Sequence, residues 1–168
     1  MPVYEFGVEL TVGDNTAFTV RGALRGLGYV ELDRVDRCEL LRLTLPDGGL
    51  SIDDCGAALK HAEVVFNPNK HRLSHSGAPE TTVCEAVVTD VDDDSTALAE
   101  VLRDRFGVDG LESVERATAW RLYEAGGKPA DARRLEWACT SLLANTFSQS
   151  FTVRSAPTRI AFKSESRK

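Results

Sequence analysis

The sequence predicts an α+β fold: two tandem copies of one β-α-β-α(-β) module, closed about a pseudo-twofold axis, with antiparallel sheet packed on helices. Three observations predict it. Shifting the 168-residue chain by 79 positions lays Val8–Leu43 over Val87–Leu122 without a gap, with identities at Val8/Val87, Gly28/Gly107, Val35/Val114, Arg37/Arg116 and Leu43/Leu122. Strand and helix signals then coincide in both halves. Finally, a copy of roughly 75 residues buries too little surface to be secure alone, so two fused copies covering each other's apolar faces are favoured.

The first strand is expected over Val3–Val12. Tyr4, Phe6, Val8 and Leu10 alternate with Glu5, Glu9 and Thr11, the period of a half-buried strand. Its counterpart spans Thr82–Val91. Asp14 or Asn15 can cap the following helix, whose stripe is Val20, Leu24 and Leu27, with Gly28 at the exit. In the second half Asp94 or Ser95 caps Leu98, Val101, Leu102 and Phe106, and Gly107 ends the helix. Val35–Leu45 and Val114–Tyr123 carry charge every second or third residue and read as strands with a wet face or a partner-facing edge.

Ser51-Ile52-Asp53-Asp54 has capping-box spacing and opens a second helix with Cys55, Leu59, Ala62 and Phe66 on one face, ended by Pro68. The equivalent helix has Pro129 in its first turn and Leu135, Ala138, Cys139, Leu142 and Leu143 as its stripe, and a short strand, Phe147–Val153, follows. The organisation is therefore residues 1–70, a linker 71–82, residues 83–153, and a basic tail 154–168. Val8, Leu24, Leu43, Leu59, Val87, Leu102, Leu122, Leu142 and Leu143 are the expected packing residues. Trp120 and Trp137 are expected as core or interface anchors.

Composition narrows the function classes. Apolar content of 42% and charged content of 27% are those of a globular protein. A net charge of −6 argues against a broad nucleic-acid surface. No apolar run reaches the ~18 residues that span a bilayer, and the start of the chain is not a signal peptide, so a cytoplasmic address is expected. Cys38, Cys55, Cys84 and Cys139 form no C-x-x-C pair and read as buried, reduced thiols. Asp90–Asp94 resembles a calcium-loop start, but Ser95 and Val101 stand where Gly and Glu are needed. His61, His71 and His75 lack matching ligands, and no glycine-rich phosphate loop or nucleophile elbow is present. No catalytic residue, cofactor or metal is expected.

Several stretches resemble the PurS family, the small subunit of phosphoribosylformylglycinamidine synthase. Gly22-Ala23-Leu24-Arg25-Gly26-Leu27-Gly28-Tyr29, with Val35 and Arg37, resembles the family's first helix and second strand. Cys139-Thr140-Ser141-Leu142-Leu143-Ala144-Asn145-Thr146 resembles its helix-to-strand junction, and Val65-Phe66-Asn67-Pro68 holds that place in the first half. The family's Gly-Lys is replaced by Cys38-Glu39 and Ala117-Thr118. The resemblance implies a non-catalytic subunit bridging a large synthetase subunit and a glutaminase subunit in purine biosynthesis. On that basis, with repeat identity, Arg37, Arg116, Asn67, Asn69 and Asn145 are the expected partner-binding residues. Whether the tandem dimerises again is left open. The alternative is a pair of ferredoxin-like, ACT-type modules sensing a small molecule.

Overall fold

A computed structural model describes residues 1–77 and 82–162. Over these residues the chain is mixed α+β, with four α-helices and a seven-stranded antiparallel sheet. The elements are β1 (Val3–Leu10), α1 (Asn15–Gly26), β2 (Leu32–Thr44), α2 (Ile52–Lys60), β3 (His71–Ser76), β4 (Thr82–Asp90), α3 (Thr96–Phe106), β5 (Ser113–Glu124), α4 (Ala132–Ala138), β6 (Gln149–Pro157) and β7 (Arg159–Ala161). The strand order is β6-β4-β5-β2-β1-β3-β7.

Local chemistry explains the helix ends. Asp14 caps α1, its Oδ1 accepting from the Ala17 N–H. Ser51 and Asp54 form a reciprocal capping box at α2. Gly107 closes α3 in the left-handed region at φ 76°, where a Cβ would be strained. Pro129 does not start a helix as expected. It bridges to Tyr123, and α4 begins only after Asp131, whose Oδ1 accepts from the Arg134 N–H. A π-helical turn, Cys139–Leu143, follows α4.

One sheet face carries two cores. Phe6, Val8, Leu41, Leu43 and Val114 pack with Leu59 of α2 and Leu102 of α3. Leu32, Val35, Ala86, Val88, Trp120 and Leu122 pack with Leu24 of α1 and Leu135 of α4. Two packing expectations change. Leu142 is exposed, because the widened turn rotates it outward while Leu143 goes in. Val87 is buried but on the opposite face, with Cys38, Leu40 and Ala119. The reason is register: Val8 stands opposite Glu39, but Val88 stands opposite Thr118, so the gapless 79-residue alignment is one residue out in β4.

The strand ends depart further from expectation. Residues 71–76, read as linker, are β3, hydrogen-bonded to β1 along its whole length, while residues 78–81 lie outside the described residues. Residues 154–161, read as tail, belong to β6 and β7, and 163–168 lie outside the described residues. Neither stretch has an apolar alternation, so neither announces itself as strand; backbone pairing alone defines them.

β6 and β7 stand at opposite ends of the strand order, yet only Thr158 separates them in sequence. Joined strand ends force the sheet to curl until its edges meet. Cross-sheet contacts agree. Glu5 of β1 and Arg154 of β6 stand four places apart, which a flat sheet would separate by ~19 Å, but their side chains meet at 2.5 Å. The sheet is thus a closed antiparallel ring with the helices outside. Its inner face is crowded: a Cβ at Gly7 would lie 2.7 Å from both Cys38 Sγ and Ser74 Oγ. Gly7→Ala should therefore destabilise by about 1–3 kcal/mol through overpacking. Thermal unfolding checks this; an unchanged midpoint would mean the inner face is looser than described.

Candidate functional site

Two regions gather charged side chains, one between the helices and one inside the ring. The first lies where the helices leave the sheet bare, over the middle of β2 and β5. A groove of about 320 Å³ brings together Arg37, Arg116, Asn67, Glu39 and Glu63. A second, of about 290 Å³, shares Glu39 and Arg116 and is lined by Asp90, Asp93, Thr118 and Gln149. Of the expected partner residues, then, Arg37, Arg116 and Asn67 share one groove. Asn69 and Asn145 do not line it.

The two arginines do different work. The Arg37 guanidinium donates to both carboxylate oxygens of Asp14, at 3.0 and 3.2 Å. Since Asp14 also caps α1, this bidentate pair ties the helix start to β2. Arg116 is exposed and forms no ion pair among the described residues.

The asparagines build turns. Asn67 Oδ1 accepts from the Asn69 N–H, its carbonyl accepts from Lys70 and His71, and its N–H donates to His71 Nδ1. Asn145 Oδ1 accepts from the Phe147 N–H, its carbonyl accepts from Ser148 and Gln149, and its N–H donates to Gln149 Oε1. The same Asx-turn launches β3 and β6. This gives the repeated asparagine a backbone role that its sequence position had not disclosed.

The ring interior is the region that sequence reading missed. Glu85 is fully buried and meets Arg121 at 3.1 Å, Arg159 at 2.7 Å and Arg154 at 3.6 Å. Glu5 meets Arg42 at 2.8 Å and Arg154 at 2.5 Å. Burial pushes the Glu5 carboxyl up, but hydrogen bonds from Arg154 and Arg42 outweigh it and hold the group below its usual range. Burial alone would lower Arg154 and Arg159; Glu5 and Glu85 beside Arg154, and Cys38 with Glu85 and Glu9 beside Arg159, outweigh it and hold both above the ordinary arginine value. The available signal was period-2 alternation: Glu5, Gly7 and Glu9 share one face of β1 opposite Phe6 and Val8. That face reads as solvent-facing until the ring closes over it.

Cys38, Cys55 and Cys139 are buried, and desolvation pushes their thiols up to about 12, 11 and 11. Cys84 is only half-buried, unlike the other three. Ellman's reagent at pH 8 should label one thiol quickly in the native protein and the rest only on unfolding. Fast labelling of a second would contradict the packing described. Among the described residues no three His, Cys, Asp or Glu side chains cluster to hold a metal ion, and no helix is long and apolar enough to cross a membrane.

Compared with family models and with curated proteins, the chain matches none.

Proposed function

We propose that the protein is a non-catalytic bridging subunit, two fused copies of one module, within a glutamine-dependent phosphoribosylformylglycinamidine synthase complex. The observation that carries the duplicated-module reading is the β2–β5 register. Glu39 pairs with Thr118, residues that differ by the same 79 positions at which the sequence aligns with itself. Cys38 pairs with Ala119, and Leu40 with Ala117, so the ladder exchanges with itself about that central pair. Moving outward, one side places β2, β1 and β3 and the other β5, β4 and β6, the short β7 being added beyond β3 on one side alone. The matching turns at Asn67 and Asn145 support the same reading. So do the cores, each of which joins a helix from one half to a helix from the other.

An internal twofold that has diverged suits a bridge, because one chain then offers two unlike surfaces to two partners. Arg37 and Arg116 illustrate the divergence: one is locked to Asp14, the other lines a groove and forms no ion pair among the described residues. The identity of the partners rests on the resemblance at residues 22–29 and 139–146. The test is co-elution from native lysate, with the synthetase and glutaminase subunits both recovered. Arg116→Glu should weaken that complex roughly tenfold, a loss of about 1.4 kcal/mol, while leaving thermal unfolding unchanged. Recovery of neither subunit overturns the reading.

A further inference from the structure

The ring interior holds more positive charge than its own residues neutralise. Among the described residues, four guanidiniums, Arg42, Arg121, Arg154 and Arg159, share two enclosed carboxylates, Glu5 and Glu85, and Arg42 alone reaches a third, the exposed Glu115 at 3.9 Å. The Nε atoms of Arg121 and Arg154 are buried with no hydrogen-bond partner among the described residues. The Arg121 side chain is only 9% exposed. Buried donors without acceptors are rare in folded proteins and costly, so a missing acceptor is the economical account.

A chamber of about 450 Å³ opens beside two of these groups, Arg121 and Arg159. Arg121 and Arg159 border it from within, Cys38 and Ala119 form its wall, and Arg72 and Arg37 stand among its outer residues. Its acidic residues are already taken. Glu9 is held by Arg72 at 2.6 Å, Asp14 by Arg37 at 3.0 Å and Asp36 by Arg34 at 3.1 Å. The volume lies within the ~300–1,000 Å³ range of small-molecule sites. Planar guanidiniums favour flat or tetrahedral oxyanions over simple halides.

We propose that this chamber binds a small oxyanion, a compact molecule carrying a carboxylate or phosphate group, with Arg121 and Arg159 as the principal donors. The proposal does not depend on the bridging reading: its principal donors, Arg121 and Arg159, do not line the partner groove, although the two cavities share Asp14 and Arg37. The site needs closure by the β6–β7 stretch, since Arg159 is the first residue of β7.

The experiment uses the full chain, with inorganic phosphate in one arm, succinate in another, and sodium chloride at matched ionic strength as the reference. Millimolar phosphate or succinate should raise the melting temperature by at least 3 °C beyond the chloride arm. A response to phosphate alone, succinate alone or both identifies the preferred oxyanion; a response to neither overturns the proposal. Arg121→Gln should abolish the gain, and a gain that persists in that variant also overturns it. If Arg121→Gln does not fold, Arg72→Ala decides, because that side chain is 58% exposed and its removal should cost no more than a surface ion pair. It should weaken binding at least threefold by calorimetry, and unchanged affinity counts against the site.

Discussion

Glu85→Gln should lower the unfolding free energy by about 3–5 kcal/mol, the largest effect expected of any near-isosteric change in this chain. The carboxylate is fully buried and is the shared acceptor for Arg121, Arg154 and Arg159. A neutral amide removes the charge that offsets the desolvation of Arg121 and Arg159, while Arg154 keeps its pair with Glu5. Arg121 retains a bond to the Pro157 carbonyl at 3.0 Å, which positions it but does not neutralise it. The urea midpoint should fall by more than ~1 M, given a slope of about 1–3 kcal/mol per molar. Glu9→Gln is the matched control. Its pair with Arg72 is short, at 2.6 Å, but Arg72 is largely in solvent, so the loss should stay within about 1 kcal/mol. Equal losses for the two variants would mean that water reaches Glu85 as freely as Glu9.

The contrast between Glu85 and Glu9 also marks what the sequence discloses. Local elements are legible because their causes are local. The Ser51–Asp54 capping box, the Asp14 cap, the left-handed Gly107 and the alternation of Phe6 and Val8 each depend on a few adjacent residues. The two long charged strands are legible as strands, but their place is not. Charge suggested a wet face or a partner-facing edge; the middle of β2 and β5 does carry exposed charge at Glu39 and Arg116, but the two strands are the central pair of the sheet and not an edge. Their Arg42 and Arg121 are housed because Glu5 and Glu85 arrive from neighbouring strands. Which carboxylate meets which guanidinium is decided by register and closure, both properties of the whole sheet. The expected partner residues divide on the same line. Arg37, Arg116 and Asn67 converge on one groove, but nothing local could show that Arg37 would be consumed by Asp14 while Arg116 would not. Arg154 and Arg159 looked like part of a loose end for the same reason. Their acceptors, Glu5 and Glu85, lie far away in sequence.

That last stretch carries the second large effect. A chain ended after Pro157 should lose about 3–5 kcal/mol and begin to self-associate. The deletion removes β7, and with it the backbone pairing of residues 159–161 to residues 74–76. It removes Arg159, one of three cations on Glu85. It also removes Phe162, whose ring stacks on Phe6 at 5.7 Å and lies against His75 at 4.6 Å. Losing part-buried aromatic packing contributes about 2 kcal/mol of the total, and the ladder and ion pair supply the rest. For a chain of this length, the sum corresponds to a drop of roughly 10 °C in melting temperature. The self-association has a separate cause. Without β7, β3 becomes an open edge, and unpaired N–H and C=O groups on an edge recruit another chain. Size-exclusion chromatography across a concentration series would detect it. Replacing Arg159 and Phe162 together with Ala in the full-length chain separates the two causes, since that variant loses the side chains but keeps the backbone ladder. It should be destabilised yet stay in the wild-type oligomeric state; if it associates as readily as the truncation, the edge is not what β7 protects.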